Sequence, residues 1–225
     1  MPDLPAPQEG SKRQRAKDFL LAELGSGRLR PGDQISELAL AKKIGVSTVS
    51  MREALLEMRP LGLLTKKERQ RWEVATFSEE RIKEMQEFRE MVEVFALRKL
   101  LAKGLSDAQR HAFEATYVET HLLVTQQCPA IPKILRADLT FHRLLLEATG
   151  NSLLKERVGF IYLIIEFQLV SPFYTIETGK LGLGQHLQII DSILREDLAS
   201  SERALLEHLR CAKQVFCAIV RRFKK

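Results

Sequence analysis

Apolar positions follow two different rhythms along this chain, and the change falls near Phe77. Before it the segments are short. Residues 12–25 place Ala16, Phe19, Leu20 and Ala22–Leu24 at helical spacing, and Gly25 and Gly27 stop the run. Arg30-Pro31-Gly32-Asp33 reads as a turn. Ser36 is a good N-cap for a helix over 37–44, which Gly45 ends, and Ser47 opens another over 48–59. Leu63–Lys67 and Trp72–Phe77, separated by ERQR, read as a short β-hairpin. Beyond Phe77 the pattern is helical to the end. It predicts helices over 79–103, 107–127, 132–149, 152–170, 178–196 and 201–222, broken at Gly104, Pro129–Pro132, Gly150-Asn151, Pro172 and Asp197–Ser201. Six helices with short connections make an antiparallel bundle. The expected fold is therefore mainly α: a small domain over 12–77 and a six-helix bundle over 78–225.

Within the small domain, Ala41 and Gly45 sit four apart. A small residue lets two helices approach, and a glycine makes the turn between them at positive φ, which is the pattern of a helix-turn-helix. Leu38, Leu40, Ile44, Val46, Met51, Ala54 and Leu55 are its expected core. Ser47, Thr48, Ser50 and Arg52 then lie near the start of the second helix, where base edges and phosphates are met. The hairpin, with Arg69 and Arg71, is the wing. An ordinary pair of amphipathic helices is the competing reading.

Composition sharpens this only modestly. The chain has 225 residues and a net charge of +6. Residues 1–77 hold 14 Lys/Arg against 10 Asp/Glu, and the rest hold 21 against 19, so the positive excess concentrates in the small domain. Three scattered Cys give no disulfide framework and no C-x-x-C pair, which suits a reducing cytoplasm. The first ten residues, with three Pro and two acids, are not a signal peptide; a disordered tail over 1–11 is expected. The most apolar stretch, 158–170, is interrupted by Glu166 and Gln168 and is too short to span a membrane.

In the bundle, Asp138 and His142 lie one helical turn apart, and His186 and His208 sit among Leu and Ile on two later helices. Three imidazoles and one carboxylate can converge inside a bundle on zinc, nickel, iron or manganese. Scattered surface histidines are the alternative, and His111 and His121 read as such.

From Leu29-Arg30-Pro31-Gly32 through Ile35-Ser36-Glu37, Leu40-Ala41, Gly45-Val46-Ser47 and Arg52-Glu53-Ala54-Leu55 to Gly62-Leu63, the chain resembles the GntR family of bacterial transcription regulators. The departures are Leu38 and Thr48 where that family usually has Arg, Val49-Ser50 in place of Thr-Pro, and Arg71-Trp72 where the wing has Gly. The bundle resembles the FCD effector domain of the FadR-like subgroup, in its six-helix VanR-type form. The resemblance implies that Asp138, His142, His186 and His208 hold a divalent transition metal, with Gln185 in place of a usual Glu. It implies that Arg89 and Asn151 contact a small carboxylate effector. For Arg89 the alternative is an exposed side chain paired with Glu93, and for Asn151 a helix cap. The function so implied is a homodimeric repressor of double-stranded operator DNA, not an enzyme. A metal-responsive regulator, a metal-dependent hydrolase and a sensor of long acyl chains stand as alternatives.

Overall fold

The computed structural model describes residues 11–66, 71–152, 154, 162 and 174–223. The expected tail over 1–11 lies outside them except for Ser11, the N-cap of the first helix. Two compact units divide between Thr76 and Phe77.

The first unit packs three helices against a small sheet. α1 (Lys12–Gly25) buries Ala16, Leu20 and Leu24. Ala22 points outward instead, and Glu23 is buried, neutralised by Arg28 at 2.8 Å and Lys43 at 3.0 Å. α2 (Glu37–Ile44) starts at Ser36, whose hydroxyl accepts the Ala39 N–H. It stops at Gly45, whose φ of 68° only glycine adopts without strain. α3 (Thr48–Met58) starts at Ser47, whose Oγ accepts the Ser50 N–H, and buries Met51, Ala54, Leu55 and Met58. The sheet has three strands where the sequence reading had two. β1 (Gln34–Ile35), β2 (Leu64–Lys66) and β3 (Trp72–Val74) lie in the order β1-β3-β2, both pairs antiparallel. β1 escaped because two residues carry no alternation. Ile35, buried under Trp72's strand, marks it only once the sheet exists.

Leu38 was assigned to the core and is not in it. It is 58% exposed at the start of α2, and Val49, at the start of α3, is 62% exposed. Leu40, Ile44 and Val46 are half-buried.

The second unit is helical. α4 (Glu79–Lys103) is capped by Ser78, and α5 (Asp107–Thr125) by a reciprocal Ser106–Gln109 capping box. α6 (Ile131–Glu147), α7 (Ile176–Leu194) and α8 (Leu198–Phe223) complete the described long helices. The helix expected over 152–170 lies mostly outside the described residues; Ser152, Leu154 and Tyr162 are helical. α4 packs on α6 and α8, α7 packs on α5, α6 and α8, and α5 on α6. Their buried stripes follow helical spacing: Leu183, His186, Ile190 and Ile193 on α7, and Leu205, His208, Leu209 and Phe216 on α8. The core therefore sits where α4, α6, α7 and α8 meet, and polar residues lie in the middle of it. No helix among the described residues is long and apolar enough to cross a membrane.

Candidate functional site

Asp138, His142, His186 and His208 come together. One donor atom from each lies within 4.8 Å of all the others. His142 and Asp138 share the inner face of α6, His186 comes from the middle of α7 and His208 from the middle of α8. The three imidazoles are buried. His208 Nε2 stands 3.1 Å from His186 Nε2 and 3.3 Å from His142 Nε2. Asp138 Oδ1 is 3.6 Å from His186 Nε2.

Hydrogen bonds at the far side of two rings fix what the near side can offer. His142 Nδ1 lies 2.8 Å from Glu93 Oε2, and His208 Nδ1 lies 3.0 Å from Gln185 Oε1. Carboxylate and amide oxygens accept, so both Nδ1 atoms carry the proton and both Nε2 atoms present lone pairs. Burial depresses all three imidazole pKa values, and Arg89 pushes the same way, so the rings stay neutral. The two lone pairs stand 3.3 Å apart with no proton between them, that of His142 engaged by Arg89, and both are aimed where a metal cation could accept them. Two nitrogens each about 2.0–2.1 Å from one zinc ion stand about 2.9–3.4 Å apart at angles of 90–109°. His186 likewise turns its Nε2 to the cluster, and among the described residues its buried Nδ1, on the other side of the ring, has no hydrogen-bond partner. This donor set fits a divalent transition metal.

Asp138 is pushed up to about 6 by burial, with Glu93 adding to the rise and Arg89 opposing it. Arg89, 1% exposed, is part of the buried stripe of α4 between Met85 and Val92. The exposed Arg–Glu pair is therefore excluded. Arg89 does pair with Glu93, but in the core, where its Nε donates to Glu93 Oε1. Its Nη2 donates to His142 Nε2 at 2.6 Å. Tyr162 donates to Glu93 Oε1 at 2.9 Å, and its ring stacks on His142.

Glu93 is the residue the sequence reading passed over as a partner of Arg89 alone. It touches Arg89, His142 and Tyr162 at once. The signal was present: Arg89 and Glu93 fall at 3.6-residue core positions with Ile82, Met85, Val92, Ala96 and Leu100, where two charges have no solvent to face. Asn151 is placed differently. Its Oδ1 accepts the Leu154 N–H at 3.3 Å, a capping bond, and it is absent from the described lining of the cleft beside the cluster.

That cleft runs between α7 and α8. It holds a cavity of about 50 Å³ that opens broadly to solvent, and Arg89, Asp138 and His208 are among its lining. His111 and His121 are exposed on α5.

In the first unit, Thr48 and Arg52 are exposed at the start of α3, Ser50 is half-buried, and Arg71 is exposed before β3. Ser47 Oγ lies 2.9 Å from Ser50 Oγ. Arg69 lies outside the described residues. Arg52 is held: its Nε donates to Glu37 Oε2 at 2.9 Å, while Trp72 Nε1 donates to Glu37 Oε1 at 2.7 Å. Burial works to raise the Glu37 pKa, but these two hydrogen bonds outweigh it and keep the carboxylate ionised. One side chain of α2 thus ties α3 to the wing strand.

Family-level comparison matches residues 12–74 to "Bacterial regulatory proteins, gntR family" and residues 84–210 to "FCD domain". The chain is 29% identical over 190 residues to the probable HTH-type transcriptional regulator LgoR of Escherichia coli, covering 83% of this chain but 62% of LgoR. It is 26% identical over 204 residues to a probable D-xylose utilization operon transcriptional repressor of Paenarthrobacter nicotinovorans, covering 87% and 84%. Its fold is that of Escherichia coli McbR/YncC, with a TM-score of 0.74 at 16% identity over 96% of this chain and all of that one.

Proposed function

For this chain, which belongs to the GntR family of bacterial regulatory proteins and carries an FCD domain, we propose a cytoplasmic transcriptional repressor governed by a metal-dependent effector site. Its winged helix-turn-helix binds double-stranded operator DNA through Ser47, Thr48, Ser50, Arg52, Arg69 and Arg71. Its helical unit holds a divalent transition metal on Asp138, His142, His186 and His208, and a small carboxylate beside it.

The observation that supports this most is the pair of opposed lone pairs on His142 and His208, fixed by Glu93 and Gln185. A bound metal would supply a centre of positive charge for a carboxylate oxygen. The His142 Nε2 lone pair can serve either the Arg89 guanidinium or a cation, not both. When it is given up by Arg89, the Nη2 edge of that side chain becomes available to a carboxylate, while Glu93 keeps the guanidinium in place. Metal and effector binding are coupled in this way through one arginine.

Homodimer formation draws support from α4. Phe88, Met91 and Phe95 recur at i, i+3 and i+7 and are exposed on a single chain, an apolar stripe that a second copy can cover.

The test is fluorescence anisotropy of the zinc-loaded chain on the DNA upstream of its own gene, with a scrambled duplex beside it. Specific binding that shifts by about 5–150-fold on adding a small carboxylate supports the reading. Specific binding unmoved by any metal or acid removes the effector function from the cluster, and equal binding to both duplexes removes the operator.

A further inference from the structure

We propose that the cleft over the cluster takes a carboxylate with a compact apolar body, not a polyhydroxylated acid, and that Gly182 is the residue that makes room for that body. The inference rests on the cluster being a carboxylate site, and it goes on to name the class of acid.

The cleft is polarised. Its floor holds the Arg89 guanidinium, the His208 imidazole and the Asp138 carboxyl, the last a proposed metal ligand. Its upper wall is Leu181, Gly182, Ala212, Val215 and Phe216. Tyr174, Thr178, Gln185 and Cys211 lie at the edges of this apolar wall. Gln185 accepts from His208 Nδ1, and the Thr178 hydroxyl lies 3.1 Å from that of Thr175 at the cap of α7. A sugar-acid tail would leave hydroxyls in this wall without partners, and each buried unpaired hydroxyl costs binding free energy. A hydrocarbon tail loses nothing there and leaves water behind.

α7 holds three glycines, at 179, 182 and 184, and they differ in what surrounds them. A Cβ on Gly179 would stand 2.6 Å from Ile134 Cγ2 and 2.9 Å from the Tyr174 hydroxyl, so packing demands that glycine. Among the described residues, a Cβ on Gly182 or Gly184 would meet nothing outside its own helix backbone within 4 Å, and neither has a positive φ. Glycine inside a helix costs about 1 kcal/mol relative to alanine. For Gly182 and Gly184 neither packing nor backbone conformation accounts for that cost. Of the two, only Gly182 lines the cleft. Its missing side chain leaves open space in the lining of the cleft.

The experiment is calorimetric titration of zinc-loaded full-length protein with glycolate, mandelate and gluconate, which share an α-hydroxycarboxylate head. It is run on the wild type, Gly182→Leu and Gly184→Leu. Leucine is a strong helix former, so both variants keep α7, and a zinc titration of each confirms an intact cluster. The expected result has wild-type protein binding mandelate at least about tenfold tighter than gluconate or glycolate. Gly182→Leu loses that tenfold while its glycolate and zinc affinities hold, and Gly184→Leu matches the wild type. Gluconate binding as tightly as mandelate overturns the inference alone, as does equal behaviour of the two leucine variants. Zinc binding with no heat from any of the acids overturns the carboxylate reading of the cluster, and the inference with it.

Discussion

The two units treat their charged residues in opposite ways. In the helical unit Arg89, Glu93 and three histidines are buried, and Arg89, Glu93, His142 and His208 are each held by named hydrogen bonds. In the winged unit the face proposed to meet DNA is exposed, Leu38 and Thr48 are uncharged there, and the exposed Arg52 is paired with Glu37. A buried constellation is specified by everything packed around it, so losing one member leaves the others unpaired. A DNA face is completed by phosphates that the protein does not supply. It can lose a cation and still fold, at a cost paid only in affinity and selectivity. The units should therefore fail differently when cut.

The largest effect is expected at Glu93. Glu93→Ala leaves Arg89 buried without its carboxylate, which costs about 3–5 kcal/mol of stability. At about 2–4 °C per kcal/mol for a chain of this size, calorimetry should show a fall of roughly 6–20 °C in melting temperature. Glu93→Gln keeps the shape and an acceptor oxygen, and weakens zinc binding by about 10–100-fold through the lost grip on His142. If Glu93→Gln binds zinc as the wild type does, the lone-pair argument for the metal is wrong.

The complementary cuts are in the winged unit. Arg52→Ala should lower the melting temperature by no more than about 4 °C, the share of one exposed ion pair, and weaken specific DNA binding by the equivalent of about 1–3 kcal/mol. Glu37→Gln should bring part of the same loss, because it releases Arg52 and Trp72 together. Thr48→Arg works in the other direction. One added phosphate contact steepens the plot of log affinity against log salt by about 0.9. A slope unchanged by Thr48→Arg would show that this end of α3 does not approach the phosphates.

How far the sequence could be read follows the same division. Helix starts were legible because caps are local: Ser36, Ser47, Ser78 and Ser106 each accept the N–H three residues on. The four candidate ligands were legible because i,i+4 spacing and a family pattern needed no tertiary information. Glu93 was not, since its role depends on α6 and on Tyr162, which lie 49 and 69 residues away in sequence. Leu38 misled for the converse reason. An apolar residue at helical spacing counts as core until the structure shows that no element covers it.

The smallest effect tests whether the contrast is one of burial or merely of domain, because the helical unit also carries exposed charges. Glu79, at the start of α4, accepts from Arg221 near the end of α8 at 2.7 Å. The Arg221 hydrogen bond, with a lesser one from Lys83, holds the Glu79 carboxyl down to about 2 from an ordinary 4.5. A depressed carboxylate stabilises the fold above its unfolded pKa, and that contribution is lost as pH falls through the folded value. The melting temperature of Glu79→Gln should therefore lie slightly below that of the wild type at pH 7. The gap should hold down to about pH 5, then close between about 4.5 and 2. Surface pairs contribute little and are screened, so 1 M salt should shrink the gap at pH 7, whereas the loss in Glu93→Ala should survive it. If salt erases both alike, burial is not what separates the two kinds of site.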